Sequence, residues 1–304
     1  PLWLKIQKEE IQMRNLKRAL SLALAAIMLI GMMVVSASAA SYNDLTDKDQ
    51  IVNKDAVSML VSLGIIEGKP DGSYAPTENV DRAQMAKMLS VIMNKGVDNS
   101  ALYQSVNSGL VDVNTNWAKG HINYCYTTGI IAGRGNGKFD PSATVTALEA
   151  AKMLLVAVGY DPKIEGFEGA DWAINVSVRA DEQGIFEGFT KDLSAPLNRD
   201  DAALLIYNAL DVEMIQSYTT NNYPIVYSDH RTILSDKYGV IKVQGVVVAN
   251  EWASLASDDG DAALKEGKTT IYNGEGIFST TGNTTVSKED ASLKTQTFNV
   301  STPV

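Results

Sequence analysis

The sequence predicts a mainly α-helical fold built from a unit repeated three times, followed by a C-terminal β-rich region. Two observations carry this prediction. Residues 64–76 read GIIEGKPDGSYAP and residues 129–141 read GIIAGRGNGKFDP, at a constant offset of 65. Beyond Asp211-Val212 the helical spacing of apolar residues gives way to short β-branched and aromatic runs separated by Gly, Asn, Ser and Asp.

The chain begins at Pro1, and the first methionine is Met13. Arg14, Lys17 and Arg18 form a basic segment, Ala19 to Val35 an apolar one, and Ser36-Ala37-Ser38-Ala39-Ala40 a small-residue run. This is the pattern of a secretory signal, with cleavage expected after Ala39. The apolar run falls short of the ~20 residues of a spanning helix, which favours cleavage over retention in the membrane. Residues 1–12 read as untranslated leader: Lys8-Glu9-Glu10 can be encoded by a purine-rich ribosome-binding sequence just before Met13.

Removing residues 1–39 leaves 21 basic against 34 acidic residues, a net charge near −13. So acidic a chain excludes nucleic acid as its partner, because phosphates must be met by Lys and Arg. A single cysteine, Cys125, cannot form an internal disulfide, so stability must come from hydrophobic cores.

Three repeats follow, expected at residues 42–98, 108–162 and 167–212. The first two keep register into their next segments, VDRAQMAKML at 80–89 and VTALEAAKML at 145–154. The third is more diverged, with Asp171-Trp172-Ala173 and Gly184-Ile185-Phe186-Glu187-Gly188 lying 55 residues after Asn116-Trp117-Ala118 and the second glycine motif. LNRDDAALLI at 197–206 answers VTALEAAKML after a shorter loop.

Each copy has one grammar. A first helix is predicted over Asp55 to Leu63 in copy one and Trp117 to Thr128 in copy two, ended by Gly64, Gly129 and, in copy three, Gly184. A loop rich in Gly, Pro, Asp and Asn follows. A second helix then opens with Asp81-x-x-Gln84, Thr146-x-x-Glu149 or Asn198 as cap. Such units must stack to bury their apolar faces. Cys125 is expected on the buried face, His121 on a helix surface and His230 in a turn.

In the C-terminal region, residues 213–304, strands are predicted at Tyr223–Tyr227, Val240–Ala249, Thr269–Tyr272 and Thr295–Val300, the second bent at Gly245. Ser257-Asp258-Asp259-Gly260-Asp261 reads as an acidic turn, since no Glu stands at the twelfth position of a calcium loop. No nucleophile elbow, P-loop, HExxH or dinucleotide fingerprint occurs, so no catalytic residue, cofactor or metal ligand is assigned. The ending at Val304 is read as a truncation of a longer parent protein.

The ordered motifs resemble those of S-layer homology domains. Tyr42-Asn43-Asp44-Leu45 and Leu110-Val111-Asp112-Val113 look like the opening motif of that family, and Trp117-Ala118 and Trp172-Ala173 like its second. The glycine pairs follow, then Asp71-Gly72-Ser73-Tyr74-Ala75-Pro76 and Asn136-Gly137-Lys138-Phe139-Asp140-Pro141. Asp81-Arg82-Ala83-Gln84 and Asn198-Arg199-Asp200-Asp201 look like the last motif. The resemblance implies a pseudo-threefold module with a central three-helix bundle, and grooves between repeats that bind secondary cell-wall polysaccharide, often pyruvylated, or a peptidoglycan-linked glycan.

By the same resemblance the ligand-binding residues are Arg82, Arg199, Trp117, Trp172, Lys69, Arg134, Asp44 and Asp112. An arginine fork at a helix start suits a carboxylate, and a tryptophan face suits a sugar ring. Copy two has Ala147 at the arginine position and copy one Val52 at the tryptophan position, so the grooves are expected to be unequal. The implied protein is secreted and held at the wall or surface of a Gram-positive-type bacterium, without catalysis, with self-association in a surface layer as a further possibility. The alternative reading is a wall-tethered glycan-active enzyme whose catalytic part lies in or beyond the C-terminal region.

Overall fold

The computed structural model describes residues 41–240 and three strand segments, 246–249, 268–272 and 295–299. The leader at 1–12, the signal segment at 13–39 and the acidic turn at 257–261 lie outside the described residues. Two compact units are formed, Pro1–Ala150 with Gly188–Tyr207 and Ala151–Glu187 with Asn208–Val304. The helices are α1 (Lys54–Ser62), α2 (Arg82–Met93), α3 (Lys119–Thr127), α4 (Ala147–Val158), α5 (Trp172–Glu182), α6 (Arg199–Ala209) and α7 (Ile233–Tyr238).

The expected grammar is present in the first unit. α1 buries Ala56, Val57, Leu60 and Val61, the one-sided stripe of an amphipathic helix. Gly64 and Gly129, just past α1 and α3, have φ of 69° and 80°, which a side chain would strain. Asp81 and Gln84 cap α2 reciprocally. At α4, Thr146 N donates to Glu149 Oε2 (3.1 Å) and Glu149 N to Thr146 Oγ1 (3.2 Å). Asn198 Oδ1 accepts from Asp201 N at 2.8 Å to cap α6. Each cap contributes about 1 kcal/mol.

What joins the copies is a ring of backbone hydrogen bonds two residues before each capped helix. Val80 N donates to Leu197 O (2.8 Å), Leu197 N to Val145 O (2.8 Å) and Val145 N to Val80 O (2.9 Å). The first N–H groups of each helix, which have no partner within it, then donate to a neighbouring loop. Arg82 N and Ala83 N donate to Ala143 O and Pro141 O, Arg199 N and Asp200 N to Glu78 O and Pro76 O, and Leu148 N to Leu193 O. The starts of α2, α4 and α6 are thereby held together. The buried Asp200 carboxylate also accepts from Asn53 N (3.2 Å), tying the start of α6 to the start of α1.

The turn-rich loops of copies one and two are each clasped by a carboxylate. Asp112 accepts from Phe139 N (2.9 Å) and Asp140 N (2.7 Å). Asp47, at the same offset of 65, accepts from Tyr74 N (2.7 Å) and Ala75 N (2.8 Å). The opening motif of copy one is therefore Leu45-Thr46-Asp47, and the assignment to Asp44 is corrected. Asp44 accepts from Ser41 N (3.0 Å), capping its own short 3₁₀ turn.

Copy two departs from expectation at its first helix. α3 starts at Lys119, because Asn116 Oδ1 accepts from Ala118 N (2.8 Å) and holds Trp117-Ala118 in a turn. His121, expected on the surface, is 3 % exposed, packed through α3 against α2. Cys125 is fully buried, as its helical position implies. Gly120 lets α3 approach the chain at Ser100 closely; a Cβ there would lie 2.1 Å from Ser100 O.

In the second unit, Gly184 follows α5 with φ of 70°. Arg179 of α5 donates through Nε (3.0 Å) and Nη2 (2.9 Å) to Glu165 Oε2, while Tyr218 OH donates to Oε1 (2.9 Å). This knot ties α5 to strand β1 (Ile215–Tyr218), which pairs antiparallel with β2 (Pro224–Val226) across a register shift. Strands β3 (Val246–Ala249), β4 (Lys268–Tyr272) and β5 (Thr295–Asn299) form an antiparallel sheet in that order. The helix α7 has no counterpart in the strand-and-turn reading of this region. Its signals were a Thr232–Ser235 capping box and Gly239 at φ 64°. His230 lies in a turn, with Nδ1 2.8 Å from Glu213 Oε1.

Two stability predictions follow from these contacts. Asp112→Ala orphans two amides and is expected to cost about 2 kcal/mol at neutral pH, read as a lower urea midpoint. Burial works to raise the Asp112 carboxyl, but the Phe139 and Asp140 amides outweigh it and hold the group below its usual value. A depressed folded-state pKa contributes stability above the unfolded value of about 3.9, lost as pH falls through the folded one. The gap between wild type and variant should therefore narrow below about pH 4. Gly120→Ala is expected to destabilise by about 3 kcal/mol, since the clash is with backbone; a thermal midpoint within a degree of wild type would refute the close approach.

Candidate functional site

The first unit contains a groove of about 260 Å³. One wall is the loop of copy one, from Ile65 to Pro70 with Tyr74; the other is the α2 face bearing Gln84, Lys87 and Met88. Trp117 and Arg199 complete it. Both walls come from residues 65–88, Trp117 from the turn before α3 and Arg199 from the start of α6, and the hydrogen-bond ring at Val80, Val145 and Leu197 brings these segments together.

Arg199 is the first residue of α6, directly after its Asn198 cap. Its Nε donates to Tyr74 O (2.7 Å) and Nη2 to Glu67 O (3.2 Å), with the guanidinium 4.7 Å from the Tyr74 ring centroid. Tyr74 OH donates back to Arg199 O (2.7 Å). Burial pushes the Tyr74 phenol far up, keeping it a neutral donor. Arg199 is thus pinned on two nitrogens while remaining half-buried at the groove.

Arg82 repeats this geometry one copy later. Its Nε donates to Phe139 O and its Nη2 to Ala132 O, both at 2.8 Å, and its guanidinium lies 4.3 Å from the Phe139 centroid. Phe139 and Ala132 stand 65 residues after Tyr74 and Glu67. Arg82 is only 4 % exposed, however. Burial first, then the charge of Arg134, lowers its pKa to about 10, so it stays cationic at neutral pH. The structure places it as a staple between α2 and the second loop.

Trp117 is 58 % exposed, presenting a flat apolar face at the groove. Lys69 pairs with Glu78, and Lys87 Nζ with Glu67 Oε2 at 3.2 Å. The lining therefore carries Lys69, Lys87 and Arg199 against the single carboxylate of Glu67, a local cationic balance in an acidic chain.

Of the eight residues proposed from sequence, Lys69, Trp117 and Arg199 meet in this groove. Arg134 instead pairs with Glu149 (2.8 Å). Trp172 belongs to the second unit, with Lys152 Nζ 5.6 Å from its ring centroid. Asp44 caps its own turn and Asp112 clasps a loop. Sequence reading missed Tyr74, Gln84 and Lys87 as groove residues, and Asp47 as a clasp. Asp47 was legible, because subtracting the repeat offset from Asp112 gives it directly. Lys87 carried no signal beyond its place on an amphipathic helix.

Residues 41–86 and 111–151 match the S-layer homology domain family. These stretches hold both clasps, both turn-rich loops and the capped starts of α2 and α4. The chain is 27 % identical over 270 residues to a cell surface protein of Thermoanaerobacter kivui, covering 88 % of this chain and 32 % of that protein. It is 30 % identical over 151 residues to an S-layer protein of Bacillus licheniformis, covering 49 % and 16 %. Against an amylopullulanase of Thermoanaerobacterium thermosulfurigenes it is 30 % identical over 185 residues, covering 56 % and 10 %. The chain spans a third or less of the length of these relatives. Residues 41–86 and 111–151 are S-layer homology domains.

Proposed function

We propose that this chain anchors a surface protein to the cell wall by non-covalent binding of secondary cell-wall polysaccharide in the groove of Lys69, Trp117 and Arg199. The observation that carries this reading is the convergence of an exposed indole, a pinned arginine and two lysines on one cavity. An indole face buries the apolar side of a sugar ring, and a fixed guanidinium meets an acidic substituent such as a pyruvyl ketal. Because Arg199 is already held by the Tyr74 and Glu67 carbonyls, little of its freedom is lost on binding.

The chain belongs at the cell wall or cell surface. We take its anchor as three repeats, 42–98, 108–162 and 167–212, behind a signal segment at 13–39. Participation of Leu197 in the ring supports counting the third. Self-association in a surface layer fits the S-layer protein among its relatives. A second reading is a wall-tethered glycan-active enzyme, with catalysis in or beyond residues 213–304; the similarity to an amylopullulanase favours it. Turnover of wall glycans by the chain would support that reading, and binding without turnover the first.

In sedimentation with purified wall sacculi, Arg199→Ala and Trp117→Ala should each weaken binding about tenfold or more, equivalent to about 1.4 kcal/mol. Sacculi stripped of their polysaccharide should not retain the chain. Unchanged binding by the double variant would refute the groove. Arg82→Ala should act differently, lowering the urea midpoint by leaving two loop carbonyls unsatisfied, at a cost of about 2 kcal/mol.

A further inference from the structure

Behind Trp117 lies a buried polar cluster that anchoring by the groove does not use. His121 Nδ1 is 2.6 Å from Ser90 Oγ on α2, and its Nε2 is 3.6 Å from Asp98 Oδ2 on the chain that follows α2. Its ring meets the Trp117 indole edge-on, with centroids 6.4 Å apart and planes at 66°. His121 and Ser90 are 3 % and 5 % exposed, while the Asp98 side chain is 54 % exposed.

The proton inventory orients this cluster. A serine hydroxyl has one proton, and Ser90 gives it to Lys87 O at 3.0 Å. We assign Nδ1–H as the donor of the Ser90–His121 bond, the tautomer that leaves the Ser90 proton on Lys87 O. In neutral His121 the Nε2 lone pair therefore faces the Asp98 carboxylate, with no proton to offer it. Adding a proton at Nε2 turns this opposition into an ion pair, while the bonds to Ser90 and Lys87 O are kept.

We propose that His121 is a positioning residue for Trp117, and that proton uptake at Nε2 draws Asp98 onto the ring, settles the indole at the groove and strengthens binding of an acidic glycan. This rests on the reading of the groove as a glycan site. His121 sits four residues after Trp117 on the same segment, and Lys87, whose carbonyl closes the Ser90 bond, lines the same groove as Trp117. A cation at His121 also adds to the charges of Lys69, Lys87 and Arg199.

The charged groups facing His121 are Asp98 and Lys87. Burial is the largest influence and holds the imidazole below its usual value; Asp98 pulls upward and Lys87 downward. Titration thus falls below pH 6.5. Since the folded-state pKa is depressed, the stability His121 contributes is full above pH 6.5 and declines as pH falls through the folded value. Proton-linked binding acts in the opposite sense, because an anion in the groove raises the proton affinity of His121. Taking the 6.4 Å between the His121 and Trp117 rings as the length scale, one added charge in a water-like dielectric strengthens binding of an anion roughly threefold.

The test uses the full chain labelled with 5-fluorotryptophan, the Trp117 resonance being assigned by Trp117→Phe. Its ¹⁹F shift should titrate with a midpoint below pH 6.5 and become flat in His121→Gln. Asp98→Asn, an exposed change expected to leave the fold intact, should move the midpoint lower. A flat Trp117 resonance in the wild type overturns the proposal whether or not the chain binds walls. In parallel, affinity for purified sacculi should rise about threefold from pH 7.5 to pH 5 in wild type and stay level in His121→Gln. Wall binding that persists without this pH dependence overturns the proposal and leaves the anchoring function standing.

Discussion

Three backbone hydrogen bonds, each under 3 Å, close a ring through Val80, Val145 and Leu197, and the rest of the first unit depends on them. A helix start carries amide donors with no partner inside the helix. Here those donors turn outward, α2 toward the loop of copy two, α4 toward that of copy three and α6 toward that of copy one. Each of these helix starts thus has its hydrogen bonding completed by a loop from another segment, so the segments are interdependent and not beads on a string. The groove is a by-product of this exchange, because it is walled by the loop and α2 face of the first repeat and by Trp117 and Arg199 delivered from later segments.

The same geometric position serves different ends around the ring. Arg82 and Arg199 each stand two residues after a ring residue and lie over an aromatic ring six residues before the next one, Phe139 or Tyr74. Arg82 is buried by its surroundings and holds the fold, whereas Arg199 stays half-buried where it lines the groove. In the third position Ala147 replaces the arginine, and Lys191 occupies the aromatic site, where it pairs with Asp201.

Charge is handled in two ways in this acidic chain. Carboxylates of Asp47 and Asp112 are spent on backbone amides, which stabilises irregular loops that no secondary-structure ladder could satisfy. Cations are gathered where backbone carbonyls and aromatic faces can hold them. His121 stands between these regimes, buried against α2 yet within reach of an exposed carboxylate.

Much of this was legible from residue order. The repeat offset, the capping residues Asp81, Thr146 and Asn198, the glycines that end the first helices, and the burial of Cys125 all express local rules of backbone conformation and helical periodicity, which need no knowledge of distant contacts. The clasp at Asp47 was legible too, had the offset been carried upstream. The sequence by itself determined the repeated helical grammar and the candidate set of cations and tryptophans. Only the tertiary structure decided that Lys69, Trp117 and Arg199 share a groove, that Arg82 is a buried staple and that His121 is packed inside. Those outcomes depend on which surfaces face each other once the ring closes, a relation between residues 31 to 132 positions apart that local patterning does not encode.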